Sequence, residues 1–195
     1  MKTTIYLIRH GLTAANKDNV FAGRTQEPLH PEGVAQLVGV GKRLGECDIS
    51  KIFCGPLART RQSAGIVGEL LTVPVEAKEA LTEIHIPHWD GLTKDAIRAR
   101  FGLEYPTWLD NPAGFRAPGC ETIAEVQNRA VASLETIFRD HFGQNLLVVS
   151  HLIVVRAVLL HYLGRSIVDF REIKVGNAHV VTLVRDDLRG TTVEL

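Results

Sequence analysis

Apolar residues follow two alternating rhythms along this chain. Short apolar runs rich in β-formers stand at Thr3–Ile8 and Asn145–Val149. Runs this short and this apolar predict buried strands. Lys51–Cys54 is a third strand of the kind. Val73–Ala77 is a fourth, and belongs at an edge because Pro74 has no N–H to give a ladder. Between these runs, apolar positions recur at helical spacing. Pro31–Glu46 carries Val34, Leu37, Val38, Gly41 and Leu44, with Pro31 suited to a first turn. Leu57–Leu71 repeats through Thr60, Ala64, Val67 and Leu71. Glu121–Phe142 keeps Ile123, Val126, Ala130, Leu134, Ile137 and Phe138 on one stripe. Leu152–Leu163 is apolar almost all round, as in a helix covered on more than one side. Asp169–Val175 and His179–Arg185 alternate enough to predict a closing hairpin around Gly176-Asn177.

Strand and helix therefore alternate before residue 80 and again after residue 120, which predicts a mostly parallel sheet with helices on both faces. The stretch between breaks the rhythm. It holds four of the eight prolines (Pro87, Pro106, Pro112, Pro118) and five of the twelve aromatic residues. Only Lys94–Phe101 reads as a short helix there. Residues 84–119 are expected to form a lid-like insertion in a single domain spanning 1–195, with Trp89, Tyr105, Trp108 and Phe115 as an aromatic wall of the pocket beneath.

Composition narrows the function classes. Of 195 residues, 22 are Lys or Arg and 22 are Asp or Glu, so the formal net charge is zero. A general nucleic-acid binder carries a basic excess, which is missing. Cys47, Cys54 and Cys120 fit neither a zinc ribbon nor a disulfide framework, and three thiols suit a reducing cytoplasm. The start, MKTTIYLIRHG, has too short an apolar run for a signal-peptide core. A soluble cytoplasmic protein is expected.

In open α/β sheets, ligands bind outside the carboxyl ends of the strands. Two strands here end alike: Thr3–Ile8 at Arg9-His10-Gly11, and Asn145–Val149 at Ser150-His151. As parallel neighbours they would bring both imidazoles to one rim, within reach of Arg59 early in the following helix. Two arginines beside two histidines make an anion pocket, because guanidinium bonds phosphate bidentately and stays charged. His85, His88 and Asp90 have a metal-like spacing, but Pro87 argues against a regular helix there and no third histidine completes a set.

Four blocks stand in order: RHG at 9–11, PLARTRQSA at 56–64, LTE at 81–83 followed by WDG at 89–91, and VVSH at 148–151. In that order the chain resembles the histidine phosphatase superfamily on its phosphoglycerate-mutase-like branch, and within it the small metal-independent phosphatases that act on phosphoserine or α-ribazole phosphate. The resemblance implies a three-layer α/β/α sandwich with a mostly parallel mixed sheet. It also implies roles. His10 is the nucleophile that takes the phosphoryl group, neutral and held by a carbonyl at its other nitrogen. Arg9 and Arg59 clamp the phosphate. His151, charged beside the dianion, stabilises the transition state. Asn16 hydrogen-bonds the phosphate and Gly23 lets backbone approach it. Glu83 is the general acid and base.

The chain also departs from the pattern. Leu152 replaces the usual glycine after the second histidine, where the backbone contacts substrate. Glu83-Ile84-His85-Ile86-Pro87 lacks the arginine and tyrosine by which mutases of this family hold phosphoglycerate, and His85 is expected to contact substrate instead. Arg156 is expected to form a structural ion pair. The function implied is hydrolysis of a small phosphate monoester through a phosphohistidine, without cofactor or metal. The alternatives are a phosphoglycerate mutase or a non-catalytic phospho-ligand-binding member. The expected partner is a small phosphorylated metabolite, with neither nucleic acid nor membrane, and a homodimer is left open.

Overall fold

A computed structural model describes every residue except 187, 189 and 195. A six-stranded sheet has the order β4-β3-β6-β1-β7-β8. The strands are β1 (Lys2–Arg9), β3 (Ile49–Cys54), β4 (Val75–Ala77), β6 (Asn145–Ser150), β7 (Val180–Asp186) and β8 (Gly190–Glu194). β1, β6, β3 and β4 run parallel, and β4 is the edge that Pro74 predicts. β7 and β8 are antiparallel additions on the other side of β1. The elements also include α1 (Ala14–Lys17), α2 (Pro31–Leu44), α3 (Ala58–Leu71), α4 (Lys94–Arg100), α5 (Glu104–Asp110), α6 (Ile123–Asp140) and α7 (Leu152–Tyr162), with a two-stranded ribbon of β2 (Val20–Phe21) and β5 (Leu92–Thr93).

The pleat explains why these strands read as unbroken apolar runs. Ile5, Leu7, Leu146 and Val148 enter one core, with Val126, Leu134, Val154 and Val158 of α6 and α7. Ile8, Leu147 and Val149 enter the other, with Leu37 and Val40 of α2 and Ala64 and Val67 of α3. Successive side chains point to opposite faces, and both faces are covered. α6 starts on a capping box: Thr122 Oγ1 accepts from Glu125 N at 3.2 Å, and Glu125 Oε2 accepts from Thr122 N at 2.7 Å. Among the described residues, no helix is long and apolar enough to cross a membrane.

Two expectations are corrected. The closing hairpin is β7 with β8, not 169–175 with 179–185. In 169–175 the inward residues are Phe170, Ile173 and Val175, whose spacing does not alternate. Their carbonyls serve guanidiniums instead of a ladder: Ile173 O accepts from Arg156 Nε at 2.8 Å and Val175 O from Arg9 Nη1 at 3.3 Å. Arg156 thus binds a carbonyl, with its guanidinium 5.4 Å from the Phe170 ring, in place of the ion pair expected for it.

The aromatic residues expected to wall the pocket form a core instead. Trp89 is fully buried, and Tyr105, Trp108 and Phe115 are buried around it at centroid distances of 5.8, 6.0 and 5.1 Å. Residues 84–119 carry their own aromatic core as an extension of the α6–α7 side. They reach the mouth of the sheet through β5, which pairs with β2 at Phe21–Leu92.

Candidate active site

The site follows from strand register. Arg9 pairs with Ser150, and Cys54 with Val149, so three parallel strands end at one rim. His10 N donates to Ser150 O at 2.9 Å and Gly55 N to Val149 O at 3.0 Å. Each chain segment then turns away, which leaves the His10 and His151 rings with centroids 5.4 Å apart in a T-shaped arrangement. A Cβ on Gly55 would sit 3.0 Å from His151 Nε2 and 2.8 Å from Leu81 O, so no side chain fits there.

A cavity of about 350 Å³ opens at this rim. Arg9, His10, Asn16, Gly23, Arg59, Glu83 and Leu152 line it, whereas His151, beside His10, is fully buried and is not a lining residue. His10 is 4% exposed and Arg59 1%. His10 Nδ1 lies 2.7 Å from Gly11 O. A carbonyl only accepts, so Nδ1 carries the proton and Nε2 holds the lone pair. Burial, followed by Arg59 and Arg9, drives the imidazole pKa well below 6.5 and keeps the ring neutral. That is the protonation state a nucleophile requires.

The guanidiniums are held by backbone. Arg59, in the first turn of α3, donates through Nη1 to Thr25 O at 2.9 Å and through Nη2 to Gly23 O at 2.6 Å. Arg59 Nε and Arg9 Nε are buried without a hydrogen-bond partner among the described residues. Burial lowers the pKa of Arg9 to about 10, which leaves it charged at neutral pH. Gly23 sits at φ +49°, and a Cβ there would fall 1.7 Å from Asp90 Oδ1. Its glycine requirement thus comes from left-handed backbone and from Asp90 packing. Asn16 closes a capping box with Thr13, and its Oδ1 accepts from Asn177 Nδ2 at 2.9 Å. This fixes the amide orientation.

Glu83 is 7% exposed. Its Oε1 accepts from Ile84 N at 2.9 Å, and the N–H of Ile153 in the first turn of α7 also bonds the carboxyl. Burial raises its pKa, and the two N–H groups and the two arginines only partly offset that. His151 is fully buried, and neither ring nitrogen has a hydrogen-bond partner among the described residues. Burial, then Arg59 and His10, holds its pKa well below 6.5, so in this electrostatic setting it is neutral. The expected charge on His151 requires a dianion alongside.

Other assignments shift. His85 does not line the cavity: its backbone is tied to Glu121, with N to Oε2 at 2.9 Å and O to Glu121 N at 2.8 Å. His88 lies inside the insertion, with Nε2 2.6 Å from Glu104 Oε2. No group of three or more His, Cys, Asp or Glu among the described residues is placed to hold a metal ion. Among the lining residues given no role from the sequence are Asn177, Lys94 and Phe21. Asn177 Nδ2 lies within 3.1 Å of His10 O and 3.3 Å of Gly11 O, stapling the nucleophile's backbone. The sequence marks it only as part of the Gly176-Asn177 turn. Lys94 stands at the mouth, with Nζ 3.1 Å from Asn19 Oδ1.

The family model described as histidine phosphatase superfamily (branch 1) matches residues 5–195. Phosphoserine phosphatase 1 of Hydrogenobacter thermophilus is 24% identical over 191 residues, covering 98% of this chain and 90% of that protein. A probable phosphoglycerate mutase, GpmB, of Serratia proteamaculans is 27% identical over 173 residues, 89% of this chain and 80% of its own length. The solved structure of YhfR from Bacillus stearothermophilus superposes with a TM-score of 0.95 at 26% identity, covering 99% of this chain and 96% of that one.

Proposed function

The chain belongs to the histidine phosphatase superfamily, branch 1, and on that premise we propose that it hydrolyses a small phosphate monoester through a phosphohistidine on His10. The observation that carries this reading is the His10 ring: neutral, tied at Nδ1 to Gly11 O, and set in a cavity with Arg9 and Arg59. In the first step Nε2 attacks phosphorus and the ester P–O bond breaks. Glu83, whose raised pKa favours the protonated acid, gives its proton to the leaving oxygen. In the second step Glu83 takes a proton from water, whose oxygen attacks phosphorus and breaks the P–N bond. Arg9, Arg59, Asn16 and the charged form of His151 bear the phosphoryl oxygens. The backbone at Gly23 and Leu152 completes the wall.

The substrate class follows from the rest of the lining. Phe21, Val20 and Leu152 offer an apolar side, and Lys94 a cation at the mouth. That suits a compact ester with a carboxylate, such as phosphoserine, the substrate named for the Hydrogenobacter thermophilus relative. No metal is called for in this scheme, and the free thiols Cys47, Cys54 and Cys120 support cytoplasmic work.

Rapid quench with labelled phosphoserine tests the reading. An acid-labile, alkali-stable adduct is expected, and His10→Ala should abolish it. The same adduct in His10→Ala overturns the assignment. The mutase reading draws on the GpmB similarity. Product analysis with 3-phosphoglycerate and bisphosphoglycerate separates the two, with phosphate release expected to dominate over isomerisation.

A further inference from the structure

Glu83 lies in irregular backbone. It follows the 3-10 turn Glu79–Leu81 and belongs to no helix or strand. A general acid must nonetheless keep its carboxyl within hydrogen-bond reach of one oxygen. Three charged side chains outside the cavity supply the missing constraint. Arg129, in the second turn of α6, donates through Nη1 to Ala80 O at 2.7 Å and Thr82 O at 2.8 Å, and through Nη2 to Glu83 O at 3.3 Å. Arg24 Nε donates to the same Glu83 O at 3.0 Å.

Glu121, just before α6, locks the pair together. Its Oε1 accepts from Arg129 Nε at 2.8 Å. Its Oε2 accepts from Arg129 Nη2 at 3.0 Å, Arg24 Nη2 at 2.8 Å and His85 N at 2.9 Å. Glu121 N returns to His85 O at 2.8 Å. The carbonyls of residues 80, 82 and 83 are thus fixed by two guanidiniums that share the Glu121 carboxylate, and residue 85 is held by that carboxylate at its N–H and by Glu121 N at its carbonyl. Glu121 and Arg129 side chains are 21% and 20% exposed, so these bonds are largely shielded from water. His85 and Glu121 stand at the two roots of the 84–119 insertion, so the clamp that closes the insertion also fixes the acid.

We propose that Glu121, Arg129 and Arg24 are positioning residues for the Glu83 carboxyl: they hold its backbone from behind, so their loss disorders proton transfer while leaving the phosphate clamps intact. The proposal rests on Glu83 being the general acid. A displacement of about 1 Å in such a group costs up to about 100-fold in rate.

The test compares β-glycerophosphate, whose alkoxide leaving group needs a proton, with p-nitrophenyl phosphate, whose leaving group does not. Glu83→Gln, Glu121→Gln, Arg129→Gln and Arg129→Lys are measured beside the unaltered protein, with thermal melting to confirm folding. Arg129→Gln and Glu121→Gln are expected to lower kcat/KM on β-glycerophosphate by about 10- to 100-fold, with kcat/KM on the nitrophenyl ester, which reports phosphoryl transfer to His10 and not the shared water step, within about 3-fold. Arg129→Lys, which keeps the charge on a single donor nitrogen, should recover part of the loss. Should Arg129→Gln fail to fold, Arg24→Gln, which removes the other donor to Glu83 O at a more exposed side chain, is expected to show the same selective loss. Equal losses on both esters, or no loss where Glu83→Gln is itself selective, overturn the positioning role. An unselective Glu83→Gln removes the acid assignment itself, and the proposal with it.

Discussion

At Gly23 two demands meet in one residue. Its backbone is left-handed, at φ +49°, and the space beside it is filled by Asp90. Gly23→Ala is expected to cost about 1–3 kcal/mol, read by denaturant unfolding. It should also lower kcat, because Gly23 O anchors Arg59 Nη2. Stability within about 0.5 kcal/mol of the unaltered protein would show that Asp90 yields easily. Lys94→Ala addresses selectivity: KM for phosphoserine should rise about 10-fold, the worth of one charge-assisted bond, with β-glycerophosphate little affected. The residues legible in the sequence were those in short contiguous motifs: Arg9, His10, Arg59 and His151 at strand ends and a helix start, and Glu83 in the irregular stretch after Leu81. Asn177, Lys94 and Phe21 were illegible because only long-range pairing brings them in. Asn177 comes on the turn before β7, Phe21 comes on the β2–β5 ribbon, and Lys94 opens α4 directly after that ribbon. His85 misled by its nearness to Glu83, since its backbone turns toward Glu121.

The insertion shows at the level of elements why an aromatic-rich stretch is a poor guide to a binding wall. Trp108 packs against Trp89 at 6.0 Å, Phe115 at 5.3 Å and Phe170 at 6.2 Å, so it is core. Trp108→Ala is expected to destabilise by about 3–5 kcal/mol without singling out any substrate. Melting temperature and KM on two esters separate that from a lining role, since a lining residue would raise one KM at little cost in stability. Elements carrying a strong apolar period were legible nearly to their ends, as with α2, α6 and β6. α5 was not, because Pro106 reads as a breaker, although a first helical turn tolerates proline. The converse holds after α7. The 169–175 stretch is apolar enough for a strand, but Arg9 and Arg156 take carbonyls there.

Across the whole molecule, the buried histidines tie stability to pH. His10 and His151 stay neutral in the folded protein, whereas unfolded histidine takes up a proton near pH 6.5. Their contribution is therefore present above 6.5 and is lost as pH falls from there toward their lowered folded values. Glu83 has the opposite sign. Its folded pKa is raised above 4.5, so its contribution is full below 4.5 and fades as pH rises through the folded value. Carboxylates held low, such as Glu121 and Glu135, act only below about 4.5. Melting temperature should thus fall between pH 6.5 and 5, and His151→Asn should make that slope shallower. An unchanged slope would mean that His151 is already charged in the folded protein. The sheet order carries a different consequence, one of time. β1 lies between β6 and β7, with Thr4 opposite both Asn145 and Val184. At about 5–20 residues per second of synthesis, the strand bearing the nucleophile waits roughly 10–30 s for its first neighbour to leave the ribosome. Through that interval it has two open edges and an apolar pair of faces, the kind of segment that chaperones shield. A chain stopped at residue 179 would still carry His10, Arg59, Glu83 and His151, yet would leave β1 half-paired. We expect it to pellet instead of turning over substrate, so the newborn protein gains its chemistry in one late step and passes through no partly active form.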